Sequence, residues 1–425
     1  MRPCALCPLS LLLACTSPDT PPATGLVSGN VGVTVIGAGG PAAGTLVVFA
    51  DPGGAVVASG VTGADGVARH DLPAGGSVSM LPFGQLYTVL DVGPGDEIRV
   101  GIDPAADSVV GSVHVVPPGP YAGAGQYLLE LGCNSGADLD ATTDQSFDLL
   151  PGCMGPDGTV AALAHADDDN GHALAFSGAR GLPVAQGIAE AALPAWKPAQ
   201  SFKLQITNPQ AWIASYDIEL SYVAGGTSLS HWSGSADAAL AAMPMTVPIP
   251  AGKFVDQLAF AFGGHGIEPA SGLSPTSGVF FVGGAPAATV PLDAGQIPPH
   301  ITRVDVGGAP QRPEVSWQTD RPYAAASATA IVLGWSAATA VHDWTVIGPP
   351  TSPLVVPPLA PALASYGPRA DTTDLTVETI VLEEISDSTG YRDWMAKHHG
   401  QTVDITTLAP RDATVARIGL AMATR

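Results

Sequence analysis

The chain has 425 residues with 16 Lys and Arg against 38 Asp and Glu, a formal charge of −22, which excludes a protein that tracks nucleic-acid phosphates on a basic face. Only 13% of residues are charged, while Gly and Pro supply 51 and 40, so long amphipathic helices with Lys/Glu/Arg-rich solvent faces are excluded as the main material. The 46% of hydrophobic residues can bury a sizeable core, and the Val, Thr, Ala, Gly and Pro content predicts an all-β protein of two to four domains.

Residues 1–14 carry one early cation, Arg2, and a short apolar run from Leu9 to Ala14. That run is too short to span a bilayer, which takes about 20 apolar residues. Leu12-Leu13-Ala14-Cys15 resembles the bacterial lipobox, and the resemblance implies a signal peptide over 1–14 and a diacylglycerol on the Cys15 thiol. Thr16 follows where an Asp would favour the inner membrane, so the family's sorting rule implies an outer-membrane lipoprotein. The alternative is an ordinary leader with an incidental cysteine, and either reading exports the chain. Residues 15–24, rich in Pro and Thr, are expected to form an extended tether. No later segment reaches 18 apolar residues, so lipid is the expected membrane contact.

From 25 to 112 seven short runs alternate with glycine turns: VGVTVIG, GTLVVFAD, AVVASGVT, GVARHDLP, GSVSMLP, LYTVLDV and DEIRVGI. That strand density is that of a β-sandwich. Three segments here, Gly39-Gly40-Pro41-Ala42-Ala43-Gly44 before the strand at 45–49, Thr62-Gly63-Ala64-Asp65-Gly66, and Leu72-Pro73-Ala74-Gly75, keep the order of turns in the carboxypeptidase regulatory-like (prealbumin-like) domain. The resemblance implies an immunoglobulin-like sandwich used for adhesion or spacing, with no active-site residues.

A second unit, 113–192, holds Cys133 and Cys153, the two cysteines left once Cys4, Cys7 and Cys15 are assigned to the leader and the lipid. In an oxidising envelope the pair is expected to be a disulfide, stabilising by roughly 3 kcal/mol. Metal ligation is the alternative, though no His stands at ligand spacing. Asp169-Asn170-Gly171 predicts a hairpin. A third sandwich is expected over 193–297 and a fourth over 298–425, where TGYRDWMAKHHG, near residue 395, reads as a short helix. The fold class is therefore all-β, as tandem Ig-like or prealbumin-like sandwiches.

Few constellations suggest chemistry. His165 with Asp167-Asp168-Asp169-Asn170 has the look of a calcium loop, but counting from Asp167 the glycine is fifth and the twelfth residue is Gly178, against a sixth-position Gly and a twelfth-position Glu in an EF-hand. It reads as a solvated hairpin tip, with no metal and no other cofactor. All seven tryptophans follow residue 195. Trp317, Trp335 and Trp344 lie in strand-like runs and read as core; Trp232 and Trp394 lie in polar surroundings and are the candidates for an exposed, sugar-stacking face. Tyr391, Asp393, His398 and His399 read as a solvated helix face. Glu383 and Glu384 would point to opposite faces of a strand, unlike a glycosidase pair. No nucleophile elbow, Ser-x-x-Lys or His-Glu-x-x-His occurs.

These observations predict a lipid-anchored, non-catalytic envelope protein acting as a structural or adhesion module, whose partner is an envelope protein or a glycan. A carbohydrate-binding surface lipoprotein is the first alternative. A hydrolase assembled from distant Ser, His and Asp residues is the second.

Overall fold

A computed structural model describes residues 28–37, 39–101, 108–132, 137–155, 157–238, 243–284, 286–337, 340–401 and 417–424. Cys15, Cys133 and the segments expected to be a leader and a tether lie outside the described residues. The protein is all-β, with one short α-helix, Tyr391–His398, among the described elements.

Each of the seven runs in 25–112 contains a strand, from Val31–Gly37 to Glu97–Gly101. They divide into two layers. Val31–Gly37 pairs with Val67–His70 and, in parallel, with Glu97–Gly101. Leu86–Val92, Gly76–Met80, Leu46–Ala50 and Val56–Val61 form the other layer. Alternation along Leu46–Ala50 explains the packing: Val47 and Phe49 face the first layer, while Val48 faces the opposite way into a second apolar cluster.

That second layer does not end with the N-terminal unit. Leu86–Val92 pairs in parallel with Ala340–Gly348, and the ladder continues through Ala328–Ala337, Thr376–Ile385, Arg417–Thr424, Ser274–Val282, Gln257–Gly266 and Ile213–Ala224 to Thr227–Asp237, a sheet of 12 strands. Strands from 25–112, 193–297 and 298–425 thus share one hydrogen-bonded sheet. Its middle is covered on both faces. One face meets Val31, Val33 and Val35; the other meets Val304, Val315 and Trp317 of the sheet formed by Ile301–Ala309, Arg312–Thr319 and Leu354–Val355. At the parallel seam, the buried Trp344 donates from Nε1 to Thr88 Oγ1 at 3.0 Å, so the indole nitrogen is satisfied inside the core.

The unit at 113–192 wraps a separate core of Val113, Leu129, Leu149, Val160 and Ala189. The long strand Ala173–Ala185 belongs to both of its sheets, pairing with Thr159–Asp167 and then with Ile188–Ala192. Cys153 is fully buried at the end of the turn Pro151–Cys153 and is disulfide-bonded. The predicted hairpin tip forms with Asp167 opposite Ala173; Gly171, at φ +78°, donates to Asp168 O at 3.0 Å, and Asp168 N donates to His172 O at 3.0 Å.

Trp317, Trp335 and Trp344 are buried as expected. Trp394 is not an exposed residue: it is 0% exposed. The helix lays Tyr391, Trp394 and Met395 onto the N-terminal core beside Ile98 and Val92. Tyr391 Oη donates to Leu90 O at 2.8 Å, and Arg392 grips the buried Asp96 with bonds of 2.7 and 3.0 Å. The polar letters around Trp394 belong to the outer face of the helix, where Asp393 accepts from Thr389 N and pairs with Lys397. Tyr391, expected on that solvated face, is buried as well. Trp394→Ala should destabilise the chain by about 3–5 kcal/mol in urea unfolding, as a large buried aromatic does when truncated, whereas Asp393→Ala, at an exposed ion pair, should leave the unfolding midpoint close to wild type.

Candidate functional site

The strand Thr159–Asp167 carries Leu163, His165 and Asp167 on one face, because residues two apart share a face. Glu130 on Gln126–Glu130 lies opposite Leu163, and Phe176 lies opposite His165, so both project to that same side. Leu163 and Phe176 run into the core of the third unit, with Phe202, Leu220 and Tyr222. The face is therefore the junction between the unit at 113–192 and the unit at 193–297.

At this junction the His165 ring sits between two acids. Nδ1 is 2.7 Å from Asp167 Oδ1 and Nε2 is 3.6 Å from Glu130 Oε1. Each of the three residues is 4% exposed. Burial alone would lower the imidazole pKa, but the hydrogen bonds and charges of Asp167 and Glu130 together outweigh it and raise the pKa to about 9. The ring is therefore an imidazolium at neutral pH.

The expected solvated tip begins one residue later than the sequence implied. His165 and Asp167 are buried, and only the Asp168–His172 turn is solvated. There Asp168 accepts from His172 N and Asn170 N, which holds its carboxyl down at about 2. Glu130 is the member that sequence reasoning missed. Its signal was a lone charge inside the otherwise apolar run Tyr127-Leu128-Leu129-Glu130-Leu131, a placement that requires a partner when the strand is buried.

A cleft of about 510 Å³ opens beside this ring. His165, Asp167 and the tip residues Gly171 and His172 line one side; Gln200, Ser201, Thr246 and Trp232 line the other. Trp232 is half-buried and lies along its own strand: a methyl at Gly234 would come within 2.4 Å of the indole, so glycine two residues on makes room for the ring. Of the two tryptophans singled out by sequence, only Trp232 reaches a cleft. Among the described residues no group of three or more His, Cys, Asp and Glu side chains has the geometry to hold a metal ion.

A second buried histidine repeats the arrangement. His300, 5% exposed, lies 3.5 Å from Glu268 Oε2 through Nε2 and 3.4 Å from Asp320 Oδ1 through Nδ1, with its ring stacked on Trp212 at 4.4 Å. It joins the unit at 193–297 to the one at 298–425. Glu383 is buried and Glu384 turns the other way to Arg417 at 3.1 Å, so these two acids do not converge on a common point.

No protein-family model matches the chain, and no curated protein matches its sequence.

The His165 pKa lies above its unfolded value of 6.5, so the folded state holds the extra proton between those limits. Its contribution to stability is complete below pH 6.5 and disappears as pH rises through 9. Urea unfolding should show stability falling by up to about 3 kcal/mol over that window. His165→Gln should flatten the pH dependence and cost about 3–5 kcal/mol at pH 6.5, because two buried acids are left without their cation.

Proposed function

We propose that the chain is an exported lipoprotein, held to the outer membrane through Cys15, that acts without catalysis as a binding or adhesion module of the cell envelope. The observation that supports the non-catalytic part is the state of His165, which removes it as a general base in this cleft. Ser201, His165 and Asp167 line one cleft, which is the composition a hydrolase would use. But a general base must be free to take a proton. An imidazole with both nitrogens turned to carboxylates and a pKa of about 9 is already protonated at neutral pH and takes none from a serine.

The rest of the cleft suits binding. Trp232 offers an apolar surface among Gln200, Ser201 and Thr246, a mixture of one aromatic wall and several neutral hydrogen-bonding groups. A carbohydrate ligand at Trp232 is the second reading, favoured by that pairing of indole and hydroxyl-seeking groups. Trp394 no longer contributes to it, being core.

Three measurements test the reading. Cys15→Ala should move the protein from the membrane fraction to the soluble fraction; continued sedimentation with membranes would remove the lipid anchor. Cross-linking in intact envelopes, followed by mass spectrometry, should recover one recurrent envelope component, with Trp232→Ala reducing its yield. Turnover of ester or glycoside substrates that is lost in Ser201→Ala would overturn the non-catalytic reading.

A further inference from the structure

A second basin, of about 670 Å³, lies far along the chain from the His165 cleft, between the hairpin of Ala328–Ala337 with Ala340–Gly348 and the loop that follows the turn Ala364–Tyr366. Its floor is built: Trp335 and His342 are direct cross-strand partners, stacked at 5.7 Å with 15° between their planes, and Trp335 is 4% exposed. Its loop wall is fixed as well. Asp374 Oδ2 accepts from Ser336 N at 2.9 Å, and within the loop Arg369 N donates to Thr372 Oγ1 at 2.9 Å while Thr372 N donates to Arg369 O at 3.1 Å.

Three groups on this fixed wall are left unengaged. The Tyr366 ring is 45% exposed. The Arg369 guanidinium and the Asp371 carboxylate line the basin and have no side-chain partner among the described residues. A flat, partly apolar ring with a planar donor fork and a planar acceptor beside it is the set that takes a pyranose: the ring covers the C–H face, while the fork and the carboxylate each span vicinal hydroxyls. Opposed charges in one basin disfavour an ion of either sign. The chain's charge of −22 further repels polyanions. We propose that this basin is a binding site for a neutral saccharide, with Tyr366 as the stacking platform and Arg369 and Asp371 as the hydroxyl-reading pair. The proposal deepens the envelope-binding reading by naming a ligand class, and it uses none of the residues of the Trp232 cleft.

The test uses the full chain in detergent, sedimented with insoluble neutral polysaccharides (cellulose, chitin, starch and a β-1,3-glucan) and with calcium alginate as the acidic comparator. Binding to at least one neutral polymer is expected, weaker or absent binding to alginate, and a loss of about tenfold or more in affinity for Tyr366→Ala and Arg369→Ala. All three side chains are on the surface, so these variants should keep the wild-type melting temperature. Failure to bind every neutral polymer, a preference for alginate, or equal binding by both basin variants would overturn the proposal. Binding lost in Trp232→Ala alone would also overturn it and would move the glycan to the other cleft. The lipid-anchor and cross-linking measurements read independently of all these outcomes, so the envelope reading stands or falls apart from the saccharide.

Discussion

The pairing of the strand Arg417–Thr424 on both of its edges holds the architecture together. It bonds to Ser274–Val282 on one side and Thr376–Ile385 on the other, and without it the 12-stranded sheet divides in two. Its side chains show the load on both faces. Ile418 and Leu420 enter the cluster shared with the N-terminal strands, while Ala421 and Ala423 enter the cluster shared with Trp317 and Trp335. A strand buried on both faces reads as a continuous apolar run, and Ile418-Gly419-Leu420-Ala421-Met422-Ala423 is one. The small residues are needed because two further layers must approach: a methyl at Gly419 would meet Tyr323, Glu384 and Pro298 at under 3.0 Å.

A sheet made this way gathers distant parts of the chain, and the polar groups buried with it fall at the seams. Thr88 meets Trp344 where residues near 90 join residues near 345. Asp96 meets Arg392 where the helix covers the first sandwich. Glu130, His165 and Asp167 sit where the second unit meets the third, and Glu268, His300 and Asp320 where the third meets the fourth. Buried ion clusters add little net stability over apolar packing, because desolvation offsets their attraction, but a misaligned partner leaves a buried charge exposed to no compensation. Where the partners come from different units, as in Thr88–Trp344, Asp96–Arg392 and Glu268–His300, such contacts penalise wrong docking of one sheet on another. Apolar seams rich in Val and Ala, which pack in many registers, would not.

Most strands were legible in the sequence, since the turns are marked by glycine and the runs by β-branched residues. Neither the shared sheet nor the burial of Trp394 was. Local alternation reports that a strand has a buried face; it does not report which of several layers buries it, and the seam between 86–92 and 340–348 joins segments more than 250 residues apart. Trp394 misled for a related reason. On an eight-residue helix only one turn's worth of side chains is covered, so Arg392, Asp393 and Lys397 dominate the local composition although Tyr391, Trp394 and Met395 set the packing. For the candidate site, the acidic tip and Trp232 were visible singly, but Glu130 and the meeting of all three across a unit junction required the register of Gln126–Glu130 on Thr159–Asp167.

The position of the His165 cleft also constrains what a ligand there does to the molecule. One wall belongs to the strand Thr159–Asp167 and its turn, the other to Gln200–Thr207, Thr227–Asp237 and Met245–Ile249. An occupant touching both walls binds the docked arrangement and has no complete site when the two units separate, so its binding free energy adds to the stability of that docking. The imidazolium itself does not bridge the two walls, because Glu130, His165 and Asp167 all lie on two strands of the unit at 113–192. The Tyr366 basin has no such linkage, because both of its walls come from one unit.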